Sequence, residues 1–87
     1  VDIDWEFPVS GGMEDNTTRP TDRANLTKML AELRRQLDQR GKIDGRAYLL
    51  TIAGPAGPET IKRFDLSAIH AHLDWINVMS YDLYGAW

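Results

Sequence analysis

The chain has 87 residues, a net charge of −3 at pH 7 and no cysteine. Without cysteine there is no disulfide framework and no thiolate zinc site, and the acidic balance provides no basic surface for nucleic acid. No apolar run approaches the roughly 20 residues that a membrane span needs, so we expect neither nucleic acid nor membrane as a partner.

The first predicted element is a strand over residues 1–7. Apolar and acidic side chains alternate there, a period of two that places Asp2, Asp4 and Glu6 on one face. Pro8 ends the strand because it cannot donate a backbone hydrogen bond. Residues 10–20 contain glycine, asparagine and threonine and are predicted to form a loop. Because the chain opens inside a strand without an initiating methionine, we expect it to be an internal piece of a longer domain.

A helix is predicted next, from Thr21 or Asp22 to Arg40. Thr21 is a suitable N-cap residue, and Gly41 is suited to the position that follows the helix. Apolar residues recur at helical spacing and predict one buried stripe, formed by Leu26, Met29, Leu30, Leu33 and Leu37.

Two further strands and one short helix complete the chain. Residues 47–53 are mostly apolar, as in a strand that is buried on both faces, and Gly54 and Pro55 end that run. Asp65 is predicted to cap a helix over residues 66–73, and residues 75–81 are predicted to form the third strand. We expect Trp5 and Trp75 to belong to the core.

The order strand, helix, strand, helix, strand predicts an α/β fold with parallel strands. Two helices cover only one face of such a sheet, whereas a parallel sheet needs cover on both. Residues 1–87 are therefore predicted to be part of a (β/α)8 TIM barrel, whose active sites lie at the carboxyl ends of the strands. The periodicity is equally compatible with an open doubly wound sheet.

The row of acids carries the chemical prediction. Carboxylates that share an enclosed face repel one another and raise the pKa of one of them, which yields a proton donor near neutral pH. A solvated strand face is the alternative, and the pattern alone does not decide. An EF-hand calcium loop is excluded, because Phe7 and Met13 stand where its glycine and its bidentate glutamate belong. Magnesium held by two acids in a binding module stays open.

Three segments carry a family resemblance. VDIDWEFP (residues 1–8) resembles the fourth barrel strand of glycoside hydrolase family 18, whose signature is D-x-x-D-x-D-x-E. LTIAGPAG (residues 50–57) is similar to the fifth strand, and DWINVMSYD (residues 74–82) is similar to the sixth strand with its M-x-Y-D motif. The resemblance implies a strand 4 to strand 6 segment of a glycosidase barrel, and within the family it is closer to chitinases than to enzymes that cut N-linked glycans.

The resemblance also implies roles for single residues. Glu6 is the expected proton donor, while the N-acetyl oxygen of the substrate is the nucleophile, so the anomeric configuration is retained. Asp4 orients the acetamido group, and Asp2 shares its proton. The expected substrate-binding residues are Tyr81, Asp82, Met79 and Trp87.

The same resemblance fixes the expected partners and leaves alternatives. The substrate is chitin or an N-acetylglucosamine oligosaccharide, the location is extracellular, and no cofactor or metal ion is expected. These 87 residues alone are expected to be inactive. The alternatives are a chitin-binding lectin of the same fold, which would typically lack the acid at Glu6, an endo-β-N-acetylglucosaminidase, and the metal-linked binding module.

Overall fold

The computed structural model describes residues 1–82 and shows an α/β arrangement. One sheet holds three parallel strands in the order of the chain: β1 (Asp2–Ile3), β2 (Thr51–Pro55) and β3 (Trp75–Met79). The helices are α1 (Asp22–Asp44), α2 (Pro58–Ile61) and α3 (Leu66–Ile69), the last followed by a 3-10 turn, His70–His72. The predicted element order and the parallel pairing are confirmed. The predicted strand over residues 1–7 was too long, because only Asp2 and Ile3 pair with β2, and β2 includes Gly54 and Pro55, which were predicted to end it. The short helix α2 was not predicted, although Pro58 at its first position is a known start signal.

The core lies between α1 and the sheet. Leu26 and Leu30 of α1 are fully buried against a cluster completed by Leu50, Ile52, Phe64 and Ile69. Met29, Leu33 and Leu37 pack at its margin, so the predicted stripe is confirmed. Replacing a leucine this deeply buried with alanine costs about 2–5 kcal/mol, which makes α1 the main anchor of the sheet.

The predicted end of α1 was wrong by about one turn. The helix continues to Asp44, and Gly45 follows it in the left-handed conformation at a φ of 67°. Gly41 lies inside the helix and is buried, because the returning chain passes directly over it. A Cβ at Gly41 would lie 2.3 Å from the carbonyl oxygen of Arg46, and the Arg46 N–H donates to the carbonyl oxygen of Gly41 at 3.0 Å. The first glycine therefore allows a close approach, and the second ends the helix.

The second strand begins later than the predicted residue 47. Leu50 does not start the ladder, because its N–H donates to the Asp74 carboxylate at 2.8 Å. The same carboxylate accepts a hydrogen bond from Arg34 of α1 at 3.0 Å. Ladder pairing starts at Thr51, which lies opposite Asp2 on one side and Trp75 on the other.

The helices cover one face of the sheet. Ile76 of β3 packs against the core, whereas Trp75, which we expected in the core, is 51% exposed. The indole N–H of Trp75 donates to the Asn77 side chain at 3.1 Å, as two residues on the same strand face can. The expectation for Trp75 failed because adjacent strand residues point to opposite faces, and Ile76 takes the covered one.

Candidate active site

The alternation in residues 1–7 places the acids on the face away from the helices. Ile3, Trp5 and Phe7 are half-buried and pack against the core cluster. Asp2, Asp4 and Glu6, at the intervening positions, are exposed on the other face. In a barrel whose helices lie outside, this other face is the interior.

Asp2 is fixed by the neighbouring strand. Its Oδ1 accepts a hydrogen bond from the Thr51 hydroxyl at 2.7 Å, at the point where β1 and β2 are in register. Thr51 itself is only 5% exposed, so the donor is held by packing. Thr51 was not predicted as a partner of Asp2, because the pairing register between distant strands cannot be read from either strand alone.

The second and third acids interact with each other. The hydrogen bond between Asp4 and Glu6, together with some loss of solvation and the negative charges of Asp4 and Asp82, raises the pKa of Glu6 above its ordinary value. The direction is the one that the row of acids predicts, because repulsion disfavours the ionised form. Glu6 therefore keeps its proton to a higher pH than an isolated glutamate does.

A cavity of about 230 Å³ lies where the carboxyl ends of the strands meet. It brings Glu6, which follows β1, together with three predicted residues at the end of β3, namely Met79, Tyr81 and Asp82. Thr60 and residues 55–57, at the end of β2 and just after it, are also part of its wall. Thr60 was not predicted, and its contribution depends on the unpredicted helix α2.

A second cavity, of about 380 Å³, lies on the other side of Glu6. Asp4 and Glu6 line it together with Gly12, Met13 and Asn16 of the loop that follows β1. Asp2 lines neither of these two cavities. The structure therefore places Glu6 between two spaces, with Asp4 on one side and Tyr81 and Asp82 on the other.

The residues after β3 form an exposed rim. Tyr81 is 63% exposed, and its hydroxyl donates to the Met79 sulfur at 3.5 Å. Asp82 has a φ of 54°, so the chain turns sharply here. Met79 is half-buried and lines the cavity, outside the core cluster. Trp87, the remaining predicted contact, lies outside the described residues.

The loop after β1 contacts the backbone of Glu6. Asn16 donates from its Nδ2 to the Glu6 carbonyl oxygen at 2.7 Å. Gly12, at a φ of 80°, approaches the same oxygen so closely that a Cβ would lie 1.9 Å from it. The predicted loop over residues 10–20 is confirmed, whereas the role of Asn16 was missed because side-chain contacts within loops leave no periodic signal.

Comparison with known proteins decides the family. The sequence profile of Glycosyl hydrolases family 18 matches residues 1–87. The chain belongs to glycoside hydrolase family 18. Among its family 18 relatives is Chitinase A1 of Niallia circulans, 49% identical over 87 residues, which are all of this chain and 12% of that protein.

Solved family 18 structures also match. A chitinase from Paenibacillus sp. strain FPU-7, a cell-surface-expressed multi-modular enzyme, superposes with a TM-score of 0.94 at 42% identity over 99% of this chain and 8% of that one. A family 18 N-acetylglucosaminidase from Paenibacillus barengoltzii matches with a TM-score of 0.90 at 36% identity over 99% of this chain and 25% of that one. Family 18 chitinase domains have the TIM-barrel fold, whereas these 87 residues span a small share of each relative.

Two further observations concern residues 1–82. No helix there is both long enough and apolar enough to cross a membrane. No group of three or more histidine, aspartate or glutamate side chains in that range is arranged to hold a metal ion.

Proposed function

We propose that this chain is the strand 4 to strand 6 segment of a chitinase catalytic barrel that hydrolyses β-1,4 linkages between N-acetylglucosamine units. One observation carries the proposal. Glu6, with its raised pKa, shares one cavity with Tyr81 and Asp82, although β2 separates the strands that carry them. Residues 75 and 76 positions apart in the sequence thus face one small space, as a sugar site at the carboxyl end of a barrel requires.

Glu6 acts as the proton donor to the glycosidic oxygen in this proposal. A carboxylic acid transfers a proton efficiently when its pKa lies near the working pH, and Asp4 and Asp82 raise the pKa of Glu6 in that direction. After the bond breaks, the ionised Glu6 accepts a proton from the incoming water. The same carboxyl thus serves both half-reactions.

The nucleophile in this proposal is the acetamido oxygen of the substrate. Attack within one molecule needs no protein nucleophile, only a substrate that is held in a reactive geometry. Asp4 accepts a hydrogen bond from the acetamido N–H and stabilises the positive charge that develops, and the Tyr81 hydroxyl donates a hydrogen bond to the acetamido oxygen. Within residues 1–82 that hydroxyl donates to the Met79 sulfur, a weak acceptor that a sugar oxygen can replace.

Asp2 is the first of the three acids and is held by the neighbouring strand. Its Oδ1 accepts a hydrogen bond from the Thr51 hydroxyl, which leaves its second oxygen for a shared proton. We assign Asp2 the role of sharing a proton with Asp4, while Met79 and Asp82 contact the bound sugar. Trp87 stays a proposed stacking residue.

One alternative has specific support. The match to a family 18 N-acetylglucosaminidase favours the release of single sugars as a second candidate, and an assay of product length on an N-acetylglucosamine tetrasaccharide separates the two. Retention of Glu6 speaks against the lectin alternative, and activity in the presence of a chelator would exclude the metal-linked module. Because chitin is insoluble and lies outside cells, we propose an extracellular location; we also propose that these 87 residues alone are inactive.

Replacement of the proton donor tests the proposal. In a catalytic domain that carries this chain, Glu6→Gln should lower kcat on the tetrasaccharide by about 10²–10⁴-fold, the usual contribution of general acid catalysis. Binding of the sugar, measured by calorimetry, should persist because the glutamine has nearly the same shape.

Glu14→Gln is the matched control. Glu14 is exposed in the loop and lines neither cavity, so kcat should change less than twofold. A near-normal rate for Glu6→Gln would remove Glu6 as the donor, and with it the proposed mechanism.

A further inference from the structure

One buried carboxylate fixes both ends of the loop that follows β1. Asp22 is only 2% exposed. Its Oδ2 accepts hydrogen bonds from the N–H of Arg19 at 2.8 Å and from the N–H of Val9 at 3.3 Å. A buried charge must be compensated by polar partners. Here the partners are the N–H groups of Val9 and Arg19, the two ends of a loop over residues 9–19 that we call the bracing loop.

The start of the bracing loop has a backbone conformation that needs support. Val9 has a φ of 74°, in the left-handed region that a β-branched residue rarely adopts. The bond from its N–H to Asp22 holds this conformation in place. Arg63 adds a second fixed point next to it, because its Nη1 donates to the Ser10 carbonyl oxygen at 2.8 Å.

The bracing loop in turn contacts Glu6 through its backbone. Asn16 donates to the Glu6 carbonyl oxygen at 2.7 Å, and Gly12 lies so close to that oxygen that no side chain fits between them. A shift of the loop therefore moves the peptide unit from which the Glu6 side chain projects. Hydrogen bonds thus connect Asp22 to both ends of the bracing loop, and the bracing loop to the backbone of Glu6.

We propose that Asp22 is a positioning residue that orients the Glu6 side chain through the bracing loop. The inference rests on the proposed function, because it presupposes that Glu6 is the proton donor. Asp22 lines neither cavity, so its predicted effect on the rate of the chemical step is indirect and acts through the position of Glu6. The N–H groups of Arg19 and Val9 also lower the pKa of Asp22, so it stays ionised at neutral pH.

The test separates an effect of Asp22 on the orientation of Glu6 from an effect on the stability of the fold. In a catalytic domain that carries this chain, Asp22→Ala should lower kcat on the tetrasaccharide by about 10–100-fold, the size of loss that a displacement near 1 Å can cause. KM should stay within about threefold, because sugar contacts are unchanged. Asp22→Asn should recover most of the rate, since an amide oxygen can still accept from both N–H groups.

Asp65→Ala is the matched control. Asp65 also precedes a helix and interacts with Ser67 and Arg23, away from both cavities. It should lower the melting temperature while kcat changes less than twofold. If Asp22→Ala behaved in the same way, with only stability affected, the positioning role would be overturned.

Asn16→Ala keeps the inference testable if Asp22→Ala fails to fold. Asn16 is exposed, so its loss should spare the fold and lower kcat about tenfold. Combined with Asp22→Ala, it should add little, because both changes break one chain of contacts. A normal kcat for Asn16→Ala, or full additivity, would overturn the inference. A wild-type domain that does not cleave the tetrasaccharide would overturn the proposed function instead.

Discussion

The chemistry of single residues centres on the pair Asp4 and Glu6. Asp4 contributes the largest effect on Glu6, through their hydrogen bond, and adds its negative charge. Both effects raise the pKa of Glu6, so Glu6 is protonated up to a higher pH than an isolated glutamate, whose pKa is about 4.3. Since only the protonated form donates, activity should be lost as pH rises through the raised pKa.

Asp4→Asn is therefore predicted to change the pH profile as well as the rate. Without the charge of Asp4 the pKa of Glu6 falls toward its ordinary value, and the basic limb of kcat/KM should move to lower pH. A rate profile between pH 4 and pH 9, a range about the ordinary carboxyl and imidazole values, measures this shift. Asp15→Asn, at an exposed loop position outside both cavities, should leave the limb in place. If the basic limb of the kcat/KM profile stayed at the same pH or moved to higher pH in Asp4→Asn, the assigned effect of Asp4 on the pKa of Glu6 would be contradicted.

At the scale of the elements, two glycines near the end of α1 have different physical roles. Gly41 has a helical conformation but no room for a Cβ, whereas Gly45 has open space and a φ of 67°. Helix propensity alone predicts that Gly41→Ala stabilises by about 1 kcal/mol. The structure predicts destabilisation by about 1–3 kcal/mol, because backbone atoms must move apart.

Thermal unfolding of the two glycine variants distinguishes these expectations. Gly45→Ala should cost about 1 kcal/mol, the penalty of a left-handed conformation for a residue with a Cβ, and Gly41→Ala should lower the melting temperature further. A melting temperature for Gly41→Ala at or above that of the wild type would show that the close approach of Arg46 is wrong.

The same elements show what periodicity could and could not predict. The stripe of α1 and the alternation of residues 1–7 follow from burial of one face, so both were readable from spacing. The start of β2 could not be predicted from the apolar run, because the N–H of Leu50 donates to the Asp74 carboxylate and not to a neighbouring strand. Thr51, Asn16 and Asp22 were missed as supporting residues for a related reason: each has a partner that is distant in the sequence, 49, 10 and 13 positions away respectively. The functional roles of Glu6, Tyr81 and Asp82 came from family resemblance, and the spacing alone left a solvated strand face open.

At the scale of the whole molecule, the sheet has one covered face and one open face. The open face carries the three acids, and the cavities lie at the carboxyl end of the strands. Family 18 membership is shown over all 87 residues, while the chain spans 12% of Chitinase A1. The proposed barrel therefore explains why polar, mutually repelling carboxylates lie on a strand face that a closed sheet would enclose.

The stereochemistry of the first product tests the central claim most directly. Proton NMR of a catalytic domain that carries this chain, recorded during the first turnovers on the tetrasaccharide, resolves the anomeric proton of the released sugar. Attack by the acetamido oxygen followed by water retains the configuration, so the β-anomer should appear first and convert to the α-anomer by mutarotation. Initial release of the α-anomer would contradict neighbouring-group participation and the roles given to Asp4 and Tyr81.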